Sequence, residues 1–383
     1  MAAARAAMSV EDYLGGAWRG VKSQMGWTGQ PRPLPYISYG RRGDSILDPV
    51  RVRLLGRVLT NRPLRTPRPD DDWWDNLARM YRRLDSDECP RTPVTLHVGQ
   101  TNIDAVTDHE GFFDAAADAD PPLPDDAPDN DHIEMWQSFA ATLPEANDLP
   151  TRGRLMIPSR AARLGVISDI DDTILFTGVT DVATMAKLTF LHSAAMRSPL
   201  PGVAALYRAL QGEGPATNPI FYVSSSPWNL FDLLVEFMEL NHIPLGPLLL
   251  KDLGISERTF TRDGHAHKRR KAERIMDDFP DLPFVLIGDS GQEDATLYAD
   301  IAERRPERVA MILIRDVDPG VISIRDSEAH VHKARAEAAG VAMHLIESSE
   351  QAARHLAEAG LLDAREIDAI AAATRRDREQ ATT

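Results

Sequence analysis

The sequence predicts an α/β chain in two units: a doubly wound parallel-sheet domain preceded by a smaller β-rich, sandwich-like domain. Three observations carry that class. The chain has 383 residues, too many for one ordinary domain and ample for a sizeable core. From Leu164 onward, short apolar runs without alternation are separated by amphipathic stretches, the pattern of parallel strands covered on both faces by helices. Upstream of residue 160 the apolar residues alternate instead, in the manner of strands with one wet face. The expected units are 1–45, an irregular lead-in; 46–160, the β-rich domain; 161–347, the α/β domain; and 348–383, a helical tail.

Composition narrows the class. Hydrophobic residues make up 43% and charged residues 26%, a balance that excludes a disordered or fibrous chain. The formal net charge of −15 excludes attraction of nucleic acid or anionic lipid by the bulk field, so an anionic substrate must be drawn by a site. No nucleic-acid partner is expected. Cys89 is the one cysteine; it forbids an internal disulfide, fits a reducing compartment, and is read as an ordinary, partly buried thiol. No run approaches 18 apolar residues, and the opening "MAAARAAMSVEDYL" is interrupted by Arg5, Glu11 and Asp12, unlike a signal peptide. A cytoplasmic protein without a transmembrane segment is expected.

Along the chain, the lead-in mixes Trp18, Trp27 and "QPRPLPY" without sustained periodicity. "PVRVRLLGRVL", "PVTLHVG" and "GFFDAAAD" alternate as strands, with "TDHEG" as a turn. Between the first two, Trp74, Leu77, Ala78 and Tyr81 fall at helical spacing. The text "VTDHEGFFD" resembles the strand–turn–strand repeat of prealbumin-like sandwiches. Residues 117–131, "ADADPPLPDDAPDND", are too rich in Pro and Asp to pack and predict a mobile loop. "HIEMWQSFAATLP" and "RGRLMIPS" close the first domain. The second alternates the strands "LGVISD", "PIFYVSSS", "PLLLKD", "PFVLIGDS" and "RVAMILIRD" with the helices "PGVAALYRALQG", "WNLFDLLVEFMEL", "HKRRKAERIMDDF" and "DATLYADIAERRP". One or two helices follow residue 347. Sheets of this kind place their sites at the carboxyl ends of strands.

At the first such end, "VISDIDDTILFTG" puts Asp169, Asp171 and Asp172 into four positions. Like charges that close resist joint ionisation. A cation, a nucleophile with its acid/base partner, or a solvated loop would each account for them. The second strand delivers "VSSSPWN", with Ser224 at its end, Ser226 as N-cap and Pro227 at the first position of the next helix. That arrangement makes either an anion site or a plain helix cap. "LIGDSGQED" adds Asp289 and Asp294, with Gly288 permitting close approach. Carboxylates converging at one sheet edge call for a hard cation, and Mg²⁺ takes few protein oxygens while binding phosphate. Lys268, near a helix start, could balance a phosphate and the attacking carboxylate; the other basic residues of "HAHKRRKAERI" read as a solvated face.

Taken together, D-I-D-D-T (169–173), Ser224, Lys268 and G-D-x-x-x-x-D (288–294) resemble the four motifs of the haloacid dehalogenase superfamily of phosphatases. More closely, "SDIDDTI", "FYVSSSPWNL", "HK" and "FVLIGDSGQED" are similar to the catalytic domain of the actin-patch-associated, Mg²⁺-dependent phosphatidate phosphatases and their bacterial relatives, over about residues 164 to 315. The resemblance implies a haloacid dehalogenase-like Rossmannoid fold. It implies Asp169 as nucleophile, Asp171 as general acid/base, Ser224 and Lys268 as phosphate binders with Thr173 and Ser225 beside them, and Asp294 as support. Mg²⁺ would be held by Asp169, the backbone carbonyl of Asp171, and Asp289. Gln292 and Glu293 depart from the family, whose members commonly carry a proline after the aspartate. Asp172 stays outside the site.

The expected function is Mg²⁺-dependent hydrolysis of a phosphomonoester through an aspartyl phosphate, with phosphatidate at a membrane surface as the substrate the resemblance suggests. A soluble or nucleic-acid phosphomonoester is the alternative within enzymes, because the motifs read phosphate and not the group behind it. A phospho-Asp signalling module and a non-catalytic binding protein are the alternatives outside them; a built-in acid/base at Asp171 opposes the first. Residues 174–201 predict a turn or hairpin and one helix with Val182, Met185, Ala186, Thr189 and Phe190 along one face. Met185, Leu188 and Leu191 there either meet acyl chains or pack as ordinary core.

Overall fold

Strand pairing sorts the chain into two sheets. The computed structural model describes residues 30–45, 48–60, 88–120, 135–144, 150–175, 199–212, 217–251, 263–291, 293–316 and 324–381. The helix expected around Trp74 to Tyr81, most of the expected loop at 117–131 and nearly all of the 174–201 segment lie outside those residues. The first sheet contains β1 (Arg32–Pro35), β2 (Ser38–Arg41), β3 (Val50–Leu59), β4 (Pro93–Val98), β5 (Thr101–Val106), β6 (Phe112–Ala119), β7 (Trp136–Thr142) and β8 (Thr151–Met156). Its order is β1-β3-β2-β8-β7-β4-β5, with β6 on β3. All pairings are antiparallel except β2 with β8.

This unit corrects two sequence expectations. The lead-in is not wholly irregular, since β1 and β2 both pair with β3. The text "VTDHEGFFD" is strand, turn and strand as expected, from the end of β5 to the start of β6; β5 pairs with β4 and β6 with β3, so the turn carries the chain from one part of the sheet to another. Residues 117–119 finish β6 rather than opening a loop. The strands form one mixed sheet that curls, and the Asp120 N–H donates to Thr101 Oγ1 (3.2 Å) to tie β6 to the start of β5.

β3 shows why the curl forms. Val50, Val52, Leu54 and Val58 point into the first unit's own core beside Leu96, Phe113, Phe139 and Leu155. Leu55, on the opposite face, joins Tyr36, Tyr39 and Met156 in the core of the second unit. Period-2 alternation thus gives β3 one apolar face and an opposite face on which Leu55 stands among Arg51, Arg53 and Arg57.

The second unit runs β9 (Gly165–Ser168), α1 (Val203–Gln211), β10 (Ile220–Pro227), a 3-10 turn (Trp228–Leu230), α2 (Phe231–Leu240), β11 (Leu248–Lys251), α3 (Asp263–Asp278), β12 (Phe284–Asp289), α4 (Asp294–Arg304), β13 (Val309–Arg315), α5 (Ile324–Ala338), β14 (Met343–Ile346), α6 (Ser349–Glu358) and α7 (Glu366–Ala381). Its strands are parallel in the order β11-β10-β9-β12-β13-β14. β9 and β12 are buried at every position, which is why their sequences are continuous apolar runs. α1, α6 and α7 pack on one another, while α4 packs on α3 and on α5. The order reverses between β9 and β12. That switch point sets the ends of the Asp169 and Asp289 strands side by side.

Candidate active site

Asp169 follows the last residue of β9, and its N–H extends the ladder to the Ile287 carbonyl (2.9 Å). The loop then closes tightly. Ile174 N–H donates to Ile170 O (2.9 Å), Asp172 N–H to Leu175 O (2.8 Å), and Asp172 sits at φ 53°, a left-handed conformation that Asp tolerates better than most side chains. Ile170, between Asp169 and Asp171, and Ile174 and Leu175 just beyond them are buried apolar anchors. Burying them fixes where Asp169 and Asp171 lie.

Asp171 is held by hydroxyls. Ser224 Oγ and Ser226 Oγ both donate to its Oδ2, at 3.1 and 2.9 Å, and the Ser226 N–H donates to Ser224 Oγ at 2.8 Å. This replaces the expected capping role of Ser226. β10 runs on through an extended Pro227 into a 3-10 turn, so no helix begins where Ser226 could cap it. Ser225 points outward and is exposed; it does not join the buried set. Thr173 does, and its Oγ1 is buried without a hydrogen-bond partner.

Lys268, on α3, is buried between acids: its Nζ lies 3.1 Å from Asp169 Oδ1 and donates to Asp294 Oδ1 at 3.0 Å. Burial opposes its charge, but Asp169, Asp294 and Asp289 outweigh that and hold the ammonium above its ordinary range. Asp169 is fully buried, and neither of its oxygens accepts a hydrogen bond. Burial pushes its carboxyl well up, Lys268 opposes the rise, and Asp294, Asp171 and Asp289 add to it.

Asp169, Asp289 and Asp294 each place a carboxylate oxygen within 4.8 Å of the others, all three buried. Buried acids this close, with both oxygens of Asp169 making no hydrogen bond, fit an oxygen-ligated hard divalent cation such as Mg²⁺. Asp294, which the resemblance gives as support, lies in this carboxylate group and pairs with Lys268. Gly288 makes this approach possible: a Cβ there would lie 2.5 Å from Asp294 Oδ2 and 2.6 Å from Asp294 Cβ. Gly288→Ala should therefore displace Asp294 and lower stability by about 1–3 kcal/mol. A thermal melt checks it; an unchanged melting temperature would mean that α4 yields without cost.

The sequence reading missed a second layer. Ser168 Oγ donates to the Asp169 carbonyl (2.6 Å), which leaves the Tyr207 hydroxyl to donate to Ser168 Oγ (2.6 Å). Tyr298 donates to the Ile287 carbonyl (3.1 Å), the acceptor of the Asp169 N–H. A tyrosine within an apolar helical stripe was the available signal, since a buried hydroxyl needs a partner.

Residues 164–316 match the family described as Phosphatidate phosphatase APP1, catalytic domain. The segment is similar to that catalytic domain. It includes every residue of the site above and excludes the first sheet. Among curated proteins, the phosphatidate phosphatase APP1 of Saccharomyces cerevisiae is 37% identical over 154 residues, covering 40% of this chain and 26% of that protein. An uncharacterized protein of Schizosaccharomyces pombe is 30% identical over 155 residues, covering 40% of this chain and 25% of its own length. The chain thus covers about a quarter of the length of these curated relatives. A solved carbohydrate acetylesterase from Xanthomonas citri overlaps 81% of this chain and 74% of its own at 8% identity, with a TM-score of 0.27, too low to bear on the fold.

Proposed function

We propose that this chain is a Mg²⁺-dependent phosphomonoesterase with a haloacid dehalogenase-type, doubly wound catalytic domain, and that phosphatidate is its substrate. The observation that carries the reading is the pairing of a buried, hydrogen-bond-free carboxylate, Asp169, with a second one, Asp171, oriented by two hydroxyls, in a segment similar to the APP1 catalytic domain.

Asp169 and Lys268 divide the work on the phosphoryl group. Lys268 and Thr173 would bind its oxygens, and an Asp169 oxygen would attack phosphorus as the ester P–O bond breaks. Asp171 would give its proton to the departing alkoxide. It would then take a proton from water, whose oxygen attacks phosphorus and frees the Asp169 carboxylate and inorganic phosphate. Ser224 and Ser226 keep the Asp171 carboxylate in one orientation for both transfers. Mg²⁺ held by Asp169, Asp289 and Asp294 or the Asp171 carbonyl would screen the substrate's charge from these acids.

No helix among the described residues is long and apolar enough to cross a membrane. With phosphatidate as substrate the enzyme would work from the cytoplasm at a membrane surface, against a net charge of −15, so its attachment should be weak.

Phosphate release from micellar phosphatidate, soluble sugar phosphates and a 3′-phosphorylated oligonucleotide tests this. Phosphatidate should be the best substrate, excess chelator should remove activity, and Mg²⁺ should restore it. Asp289→Ala should raise the Mg²⁺ needed for half-maximal rate. Full activity in chelator would refute the metal-assisted reading; preference for a soluble ester would move the substrate to the alternative class.

A further inference from the structure

We infer that Trp228 is a positioning residue, clamped between the first sheet and α3, through which the N-terminal unit sets the Asp171 acid/base. The inference rests on the phosphatase reading for its kinetic consequence and on contacts between the two units for its geometry.

Trp228 lies two positions after Ser226, whose hydroxyl holds Asp171. Tyr36, between β1 and β2, stacks on its ring with centroids 4.4 Å apart and planes 16° from parallel. Phe112 of β6 lies 5.7 Å from it. From the other unit, Lys271 Nζ lies 5.9 Å from the centre of the same ring and donates to the Leu250 carbonyl at the end of β11. Lys271 stands one helical turn beyond Lys268. Trp228 therefore touches the strand end that carries the Asp171 donors, the helix that carries the phosphate-binding lysine, and the first sheet.

Arg57 of β3 completes the joint. It is 5% exposed. Its Nη1 donates to Asn229 Oδ1 (3.3 Å), its Nε to the Glu110 carbonyl (2.8 Å) and its Nη2 to Glu88 (2.9 Å), while the guanidinium covers the Phe112 ring at 4.4 Å. A buried guanidinium satisfied on both sides of a joint resists sliding, and stacked rings and cation–π contacts add to that resistance. Small misplacements of an acid/base group cost rate steeply. The first sheet is on this reading part of the active-site scaffold.

A displaced general acid has its own signature. It matters for a poor alkoxide leaving group and little for an aryl oxide that leaves without a proton. The experiment uses the full chain and compares single-turnover release of the alcohol from an alkyl phosphate with that from p-nitrophenyl phosphate. Trp228→Leu should slow the alkyl ester at least tenfold and the aryl ester threefold or less, and Trp228→Phe should restore most of the loss. Asn229→Ala, which removes only the Arg57 contact, should give a smaller loss of the same selectivity. Parallel loss on both esters, following the folded fraction, would reduce Trp228 to ordinary packing and overturn the inference.

Hydrogen exchange separates this from failure of the phosphatase reading. Tyr36→Leu, or Asn229→Ala should Tyr36→Leu not fold, should speed exchange at the amides of 224–226 while leaving β12 protected. Unchanged exchange at 224–226 sinks the clamp even in an active enzyme. Wild type that releases no phosphate from any ester sinks the activity, and the exchange result then judges the clamp alone.

Discussion

Asp169→Asn should lower phosphate release by at least about 10³-fold while leaving the melting temperature at neutral pH equal to or above that of the wild type. The amide keeps the shape of the carboxylate and cannot attack phosphorus, so the loss should appear in kcat. Stability moves the other way for an electrostatic reason. Burial, followed by the neighbouring Asp294, Asp171 and Asp289, raises the Asp169 pKa well above the usual carboxylate range despite Lys268. A carboxyl with a raised native pKa costs stability as pH rises from the unfolded-state carboxylate range to the native value, because the unfolded chain releases its proton first. The wild type should therefore lose stability over that window, and Asp169→Asn should lose less. Melts from mildly acidic to neutral pH check the sign. A variant that turns over normally ends the nucleophile assignment; one that grows less stable than wild type as pH rises ends the electrostatic account.

How much of this was legible beforehand depends on the range of the interactions. β9 through β13 were readable because strands buried on both faces have no polar side to interrupt them, and parallel topology then names their carboxyl ends as the site. Asp169, Asp171, Thr173, Ser224, Lys268, Asp289 and Asp294 all converge at those ends. β5, "TNIDAV", escaped notice because none of its residues is fully buried; its existence depends on the partner β4. β1 and β2 have four residues each, too short for periodicity to register, and they exist by pairing with β3. Ser226 could cap a helix or donate to a carboxylate, and only the extended path through Pro227 decides between them. Trp228 read as the apolar start of a helix, yet its ring serves the joint between the two units. In each case the missing information lay in a contact far along the chain.

Lys268→Met should be the most destabilising single change at the site, and a divalent cation should offset part of the loss. Lys268 Nζ lies 3.1 Å from Asp169 and 3.0 Å from Asp294, all of them buried. Removing one partner of a buried ion pair leaves the other charge uncompensated, at a cost of about 3–5 kcal/mol, and here two acids are left. The sign of the pH dependence follows from the raised lysine pKa. The lysine's own titration leaves this stabilisation intact below the ordinary lysine range and removes it as pH rises through the native value, so the deficit should be full at neutral pH. It should shrink under acid conditions, where Asp169, already reluctant to ionise, takes up its proton. On the proposed metal assignment Mg²⁺ would bind the native carboxylate group and not the unfolded chain, and so would stabilise by mass action. Without the ammonium competing for Asp169 and Asp294, the variant's melting temperature should rise more steeply with added Mg²⁺ than the wild type's, while activity stays low because the lysine proposed to bind the phosphate is gone. Lys268→Arg should not restore activity, since a planar guanidinium cannot occupy the position of a compact ammonium between two acids. A variant that melts with the wild type and ignores Mg²⁺ would show that these acids are carried without either cation, and the metal assignment would fall with the ion pair.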